Sequence, residues 1–220
     1  MQQWPFNMEL DKAVELRTAD IDWVTSPSPG VKRKPLEREK AESGRTSSVV
    51  RYAPGSSFPH HVHDGGEEFL VLDGVFSDDY GDYPAGTYVR NPPLSEHAPF
   101  TENGCTIFVK LCQFQPGDDR RFVMDPNTGA WIQHPNLDMR SVVLHQYGIE
   151  RVELHHLSSD VSLEWLEDTG GLEIFVLEGA LLNTDGTFPA GSWIRRPAGT
   201  GYRLVSIGQS VFYVKTGHLI

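Results

Sequence analysis

The feature that most constrains the fold is an internal repeat. "EFLVLDGVF", beginning at Glu68, recurs as "EIFVLEGAL", beginning at Glu173, and "YPAGTYVRNP", ending at Pro92, recurs as "FPAGSWIRRP", ending at Pro197. Both pairs are offset by 105 residues, as are "FVK" at Phe108 and "YVK" at Tyr213. "WVTSP" at Trp23 matches "WIQHP" at Trp131 at an offset of 108, so an insertion or deletion falls between the blocks. A chain of 220 residues built this way holds two tandem copies of one unit, each large enough to bury a core.

Within a copy, apolar runs such as "FLVL" and "TIFVKL" stop at turn-forming stretches such as "SDDYGDYPAG". With 21 glycines and 15 prolines, this spacing predicts short strands joined by turns, hence an all-β sandwich or barrel. "QPGDDRRFVMDPNTG" reads as the connecting loop and puts the boundary near residues 115 to 130. The expected domains are 1–115, an N-terminal arm with the first barrel, and 125–220, the second barrel. "ELDKAVELRTADIDW" holds an irregular helical pattern and is expected to form an arm.

The net charge of −11 argues against a partner bound through phosphates, so no nucleic-acid partner is expected. The basic run Lys32-Arg33-Lys34 is followed by Glu37 and Glu39 and reads as a solvated segment. The N-terminus lacks a basic start and an apolar core, and no stretch approaches the roughly 20 apolar residues of a membrane span, so a cytoplasmic protein without a membrane partner is expected. Cys105 and Cys112 stand on one predicted strand, roughly 23 Å apart at about 3.3 Å per residue, and are expected to be unbridged core thiols.

"FPHHVHDGGEEFLVLDG", Phe58 to Gly74, concentrates groups able to bind metal. Strand alternation sends His61 and His63 to one side and His60 to the other, which suits the pair to chelation and makes His60 a rim residue. Glu67 opens the next strand, and His97 follows "NPPLSE". Imidazoles with one carboxylate suit zinc, iron, manganese or nickel. Glu68 competes with Glu67; Glu67 is preferred because it shares the parity of Phe69 and Val71.

From Gly55 the chain reads G-x5-H-x-H-x3-E-x6-G, filled by Gly55, His61, His63, Glu67 and Gly74, and from Gly86 it reads G-x5-P-x-L-x2-H, filled by Gly86, Pro92, Leu94 and His97. This pair resembles the two signatures of the cupin superfamily, a jelly-roll β-barrel, and because both halves are covered the resemblance implies a bicupin. It implies one divalent metal on His61, His63, Glu67 and His97. Leu94 stands where cupins usually have glycine, so the turn before His97 is expected to differ in its backbone angles.

More narrowly, the run from "RYAPGSSFPHHVHDGGEEF" to "NPPLSEHAPF" is similar to the cupin domain of ChrR-type anti-sigma factors, which implies zinc on these ligands, a small-molecule ligand and a place in stress-responsive transcription regulation. Those regulators hold their sigma factor with a separate N-terminal zinc domain, and nothing before Trp23 offers one, so direct sigma-factor binding is not carried over. Edge strands in such folds often pair between subunits, which makes a homodimer an expectation by analogy.

At the offset of 105, His61, His63, Glu67 and His97 fall on Leu166, Asp168, Leu172 and Tyr202, so the second copy is expected to hold no metal. Arg90 with Arg195 and Lys110 with Lys215 persist where the ligands are lost, which marks them as scaffold. His155 and His156 read as one core and one surface residue, and His134, His145 and His218 carry no motif. Phe58, Phe69, Tyr88 and Phe100 surround the motifs, as barrel core or as the wall of an apolar substrate site.

Three functions follow. Zinc held by four ligands is closed, giving a sensor or binder of a small molecule, or else a purely structural metal. Iron or manganese on the same ligands leaves positions open, and the alternative is then a non-haem dioxygenase acting on a small carbonyl or aromatic compound. No catalytic side chain and no organic cofactor site is assigned.

Overall fold

A computed structural model describes residues 4–165 and 170–219. The chain forms two compact units, one of Ile21–Thr128 with the N-terminal residues up to Met8, the other of Gly129–Ile220 with Glu9–Asp20. Both are antiparallel β structures, as the alternating runs and turn spacing predict; among the described residues helix is confined to the short 3-10 turns Thr18–Asp20 and Pro126–Thr128. Among the described residues no helix is long and apolar enough to cross a membrane.

In the first unit the strands are ordered Phe122–Met124, Tyr88–Asn91, Glu67–Asp78, Cys105–Leu111, Thr46–Tyr52, Val31–Arg38 and Val24–Thr25, with Gly81–Pro84 paired to Glu67–Asp78. A separate two-stranded ribbon joins His61–His63 to Ser95–His97. The second unit repeats the order as Val14–Arg17, Ser192–Arg196, Leu172–Leu182, Tyr202–Thr216, Glu150–Leu157, Met139–Tyr147 and Ile132–Gln133.

The arm expected with the first barrel divides. Val14–Arg17 adds to the edge of the second unit's sheet, Val14 opposite Arg195. Phe122–Met124, expected as linker, adds to the first unit's sheet, Phe122 opposite Arg90. Arg90 and Arg195 are 105 apart and Phe122 follows Val14 by 108, the offset of the tryptophan blocks. Each copy's leading strand therefore completes the sheet of the other copy. V-E-L-R alternates as an edge strand requires, so a strand and not a helix forms there.

Strand parity divides each sheet into an apolar face and a charged face. Phe69, Val71, Phe76, Tyr83, Val89, Ile107 and Val109 form the first core, and their partners at the 105 offset, Ile174, Val176, Leu181, Phe188, Ile194, Phe212 and Val214, form the second. Each such side chain stabilises its unit by roughly 1.5–3 kcal/mol. On the opposite faces the retained cations are buried and engaged. Arg90 pairs with Glu68 and Asp118, and Lys110 Nζ donates to Ser47 Oγ at 2.7 Å. Lys215 pairs with Glu150 at 3.0 Å, and Arg195 Nη2 donates to Glu9 O at 3.0 Å. Their scaffold role follows from that burial, since an uncompensated charge there costs several kcal/mol.

Two expectations need correction. Cys105 is buried, but Cys112 is exposed, because the strand ends at Leu111 and Cys112 turns out of it with φ of 57°. Arg33 is not a freely solvated residue: its side chain is 13% exposed and pairs with Glu42 at 2.5 Å, while Lys34 lies over the Trp23 ring.

Candidate metal centre

The ribbon decides which histidines meet. His61 lies opposite His97 and His63 opposite Ser95, so His61, His63 and His97 share one face while the exposed Val62 and Glu96 point away. One ligating atom from each of the three lies within 4.8 Å of the others, and His63 Nε2 and His97 Nε2 are 2.9 Å apart. After the Gly65-Gly66 turn, Glu67 Oε2 stands 3.5 Å from Nε2 of both His63 and His97. Glu68, one residue on, points to the other face and is held by Arg90 and by the Tyr88 hydroxyl, which donates to it at 2.7 Å. His60 is exposed.

Two of the rings are oriented from behind. His61 Nδ1 donates to the Pro59 carbonyl at 2.8 Å, and His97 Nδ1 donates to Asp78 Oδ2 at 3.0 Å. With Nδ1 protonated, each Nε2 lone pair is left for a cation, the tautomer a metal requires. Asp78 is itself fixed, its Oδ1 accepting from the Tyr83 hydroxyl and the Tyr80 N–H, both at 2.9 Å. Asn91 Nδ2 donates to Glu67 Oε2 at 3.2 Å. These donors fit a divalent cation.

The electrostatics pull the rings in opposite directions. Burial lowers the proton affinity of His61, helped by His63 and His97 and opposed by the Pro59 hydrogen bond, which favours the neutral ring. Burial alone would also lower His97, but its hydrogen bond to Asp78 and the charge of Glu67 prevail and raise it. Burial would raise Asp78, yet the hydrogen bonds from His97, Tyr80 and Tyr83 hold it below the usual carboxylate range.

Leu94 does not alter the turn before His97. Its φ is 69°, against 75° at Gly199, the equivalent residue of the second unit, so leucine occupies the left-handed conformation that the glycine position demands. The Leu94 N–H donates to the His63 carbonyl at 2.8 Å and ties this turn to the ligand strand.

Beside the histidines lies a cavity of about 340 Å³, with Val50, Tyr52, Phe58, Ile107, Val109 and Leu111 in its wall. Of the four aromatic residues near the motifs, Phe69 and Tyr88 are buried core, Phe58 lines the cavity, and Phe100 is exposed.

Of the second copy's ligand slots, Leu166 and Asp168 lie outside the described residues. Leu172 is core, and the Tyr202 hydroxyl accepts from Asn183 Nδ2 at 2.9 Å and donates to Glu15 at 3.2 Å. His155 is buried and His156 half-buried, His155 lying 3.5 Å from Glu153. His218, without a motif, pairs with Glu173 at 3.1 Å.

Sequence reasoning missed Asp78, Tyr83 and Asn91. Asp78 lay inside a segment read as a turn, although it shares strand parity with the core residue Phe76, which was the available signal.

The fold is similar to that of several solved structures at low identity. A Nostoc punctiforme protein provisionally assigned as a dioxygenase matches with TM-score 0.77 and 14% identity over 96% of this chain and 84% of its own. A bacterial pirin from Escherichia coli in complex with nickel(II) matches with TM-score 0.72 and 10% identity over 95% of this chain and 100% of its own. Lactobacillus farciminis oxalate decarboxylase, as its formate complex, matches with TM-score 0.67 and 11% identity over 94% and 86%. No curated protein matches the sequence. The family model for the ChrR cupin-like domain matches twice, over residues 11–115 and 119–220. The chain therefore belongs to the ChrR cupin-like family, as two tandem cupin barrels of which the first carries the histidine triad.

Proposed function

We propose that the first barrel binds one divalent metal, zinc before iron or manganese, through His61, His63, Glu67 and His97, and that the metal-bearing cavity binds or senses a small molecule. The observation that carries this reading is the convergence of three histidine ligating atoms within 4.8 Å of one another, with Glu67 at 3.5 Å from two of them. Four such ligands close a zinc site, which suits a sensor better than a catalyst. Family membership supports a role in stress-responsive transcription regulation, the setting of ChrR-type regulators.

The apolar cavity that opens on the ligands favours a second reading. With iron or manganese, the same donors leave positions for a substrate and dioxygen, and a small carbonyl or aromatic compound would fit the wall. Among structures of similar fold, one oxalate decarboxylase is described with Mn(II) centres.

Elemental analysis of protein purified without an affinity tag, beside a His61→Ala/His63→Ala double variant, tests both readings. Near one zinc per chain, lost in the variant, supports the sensor. Iron or manganese lost in the variant supports the oxygenase and leads to a dioxygen-consumption screen. Unchanged metal content in the variant would sink the site.

A further inference from the structure

We propose that the cavity of the first barrel takes a small carboxylate with a short apolar body, its carboxylate held at Arg33 and Arg38 and a hydrogen bond supplied by Ser48. This rests on the small-molecule reading above and narrows it to a ligand class.

Arg33 and Arg38 both line the cavity from the Val31–Arg38 strand. They share one carboxylate, Glu42, whose Oε1 lies 2.5 Å from Arg33 Nη2 and whose Oε2 lies 3.9 Å from Arg38 Nη2. Glu42 is 55% exposed, a weak partner for two cations. Arg38 is only 4% exposed, and its close acceptors are the neutral carbonyls of Lys40 and Ala41, at 2.5–2.9 Å. Arg90, equally buried in the same unit, shows the usual arrangement with two carboxylates. Burial, and then the charge of Arg33, bring the Arg38 proton affinity down to about 10, a strain that an anion would relieve.

A second, independent observation lies in the same wall. The Ser48 side chain is 1% exposed, lines the cavity, and its Oγ has no hydrogen-bond partner among the described residues. A buried hydroxyl left unpaired is costly, and a ligand oxygen would satisfy it.

Register places these groups relative to the histidines. Arg38 lies opposite Thr46, Thr46 opposite Leu111, and Leu111 opposite Glu67, so Arg38 and Glu67 stand at one level of the sheet. Three strand spacings separate them, about 14 Å along the curved sheet. Between them, Val50, Ile107, Val109 and Leu111 supply apolar wall for the ligand body. With a divalent ion bound and the histidines neutral, two guanidiniums and the ion oppose the carboxylates of Glu42, Asp64 and Glu67. One positive charge remains, in a chain whose net charge is −11.

The test is calorimetric titration of butyrate and benzoate, with butyramide and benzamide as uncharged controls, into metal-free and zinc-loaded full-length protein. Glu42→Gln removes the competing carboxylate and should tighten carboxylate binding several-fold, whereas Arg33→Gln should weaken it about tenfold, the worth of one charge-assisted hydrogen bond. Ser48→Ala should weaken it a further few-fold without restoring amide binding. Neither Arg33 nor Glu42 is buried in the core, so both variants keep the fold. Carboxylates binding no better than amides in both forms would overturn the inference while leaving the metal reading intact. Carboxylate binding that ignores Glu42→Gln and Arg33→Gln but vanishes in His61→Ala/His63→Ala would place the anion on the metal and also overturn it. The opposite responses of Glu42→Gln and Arg33→Gln in metal-free protein would sustain it even if no metal were found.

Discussion

Leu94→Gly is expected to stabilise the first unit and Gly199→Ala to destabilise the second, although the two sites are equivalent. Both hold a left-handed backbone, with φ of 69° at Leu94 and 75° at Gly199. A β-carbon in that conformation costs roughly 1–2 kcal/mol. Leu94 is 76% exposed, so the little area it buries contributes well under 1 kcal/mol at about 25 cal/mol per Å². Glycine's greater freedom in the unfolded chain takes back about 0.5–1 kcal/mol, leaving a net gain of about 0.5 kcal/mol. At Gly199 no atom lies within 4 Å of an added β-carbon, so alanine meets backbone strain without a clash. Less the stabilisation alanine brings by restricting the unfolded chain, the expected loss is about 0.5–1 kcal/mol, or roughly 2–8 °C in Tm for a unit near 100 residues. Scanning calorimetry with urea titration measures both, and Leu94→Ala separates side-chain loss from backbone relief because it retains the strain. A Leu94→Gly protein no more stable than Leu94→Ala, or a neutral Gly199→Ala, would refute the reasoning.

Three further outcomes are expected. Asp78→Asn, which removes the carboxylate that accepts from His97 Nδ1, should weaken metal binding by roughly 10–100-fold, measured by chelator competition; unchanged affinity would mean that His97 needs no anchor. Burial would raise the Glu153 carboxyl, but hydrogen bonds from His155 and Arg151 outweigh it and hold it down to about 2, against an ordinary 4.5. That stability is present above pH 4.5 and lost as pH falls toward 2, so Glu153→Gln should flatten the acid limb of the stability curve by about 1–2 kcal/mol after screening by solvent. An acid limb of unchanged steepness would show that Glu153 contributes nothing. Lys215→Met deprives the fully buried Glu150 of its cation 3.0 Å away and should cost about 3–5 kcal/mol in urea unfolding, partly recovered by adding Glu150→Gln; a loss below about 1 kcal/mol would contradict the buried-pair argument.

Much of this was legible because strand parity is a local rule. Alternation put Phe69 and Val71 inside with Glu67, put Glu68 outside, and brought His61 and His63 to one face, each from a few neighbouring residues. The 105-residue offset then carried the core assignment from one copy to the other. What escaped depends on pairings between distant segments. Val14–Arg17 is four residues long, and its partner, the Ser192–Arg196 strand, lies far away in sequence. Asp78 reaches His97 past two intervening strands, and Arg33 and Arg38 become cavity residues only when their strand pairs with Thr46–Tyr52. Cys112 was misplaced because an apolar run does not announce the residue at which its strand ends.

The reciprocal placement of the two leading strands sets an order of assembly. Phe122–Met124 emerges soon after the Tyr88–Asn91 strand it joins, so during synthesis the first barrel can close before the second copy exists. Val14–Arg17 emerges before the strands of the first barrel and must wait for Ser192–Arg196, which follows the whole of that barrel. Until then it is an unpaired edge segment, free to add to the nearest compatible strand, and the equivalent strand at Tyr88–Asn91 is made first. The competition is between two like strands for one site, and the order in which they leave the ribosome favours the wrong one. A chain that completes both barrels must release or withhold that strand, so folding adds a choice of partner to the formation of the two cores.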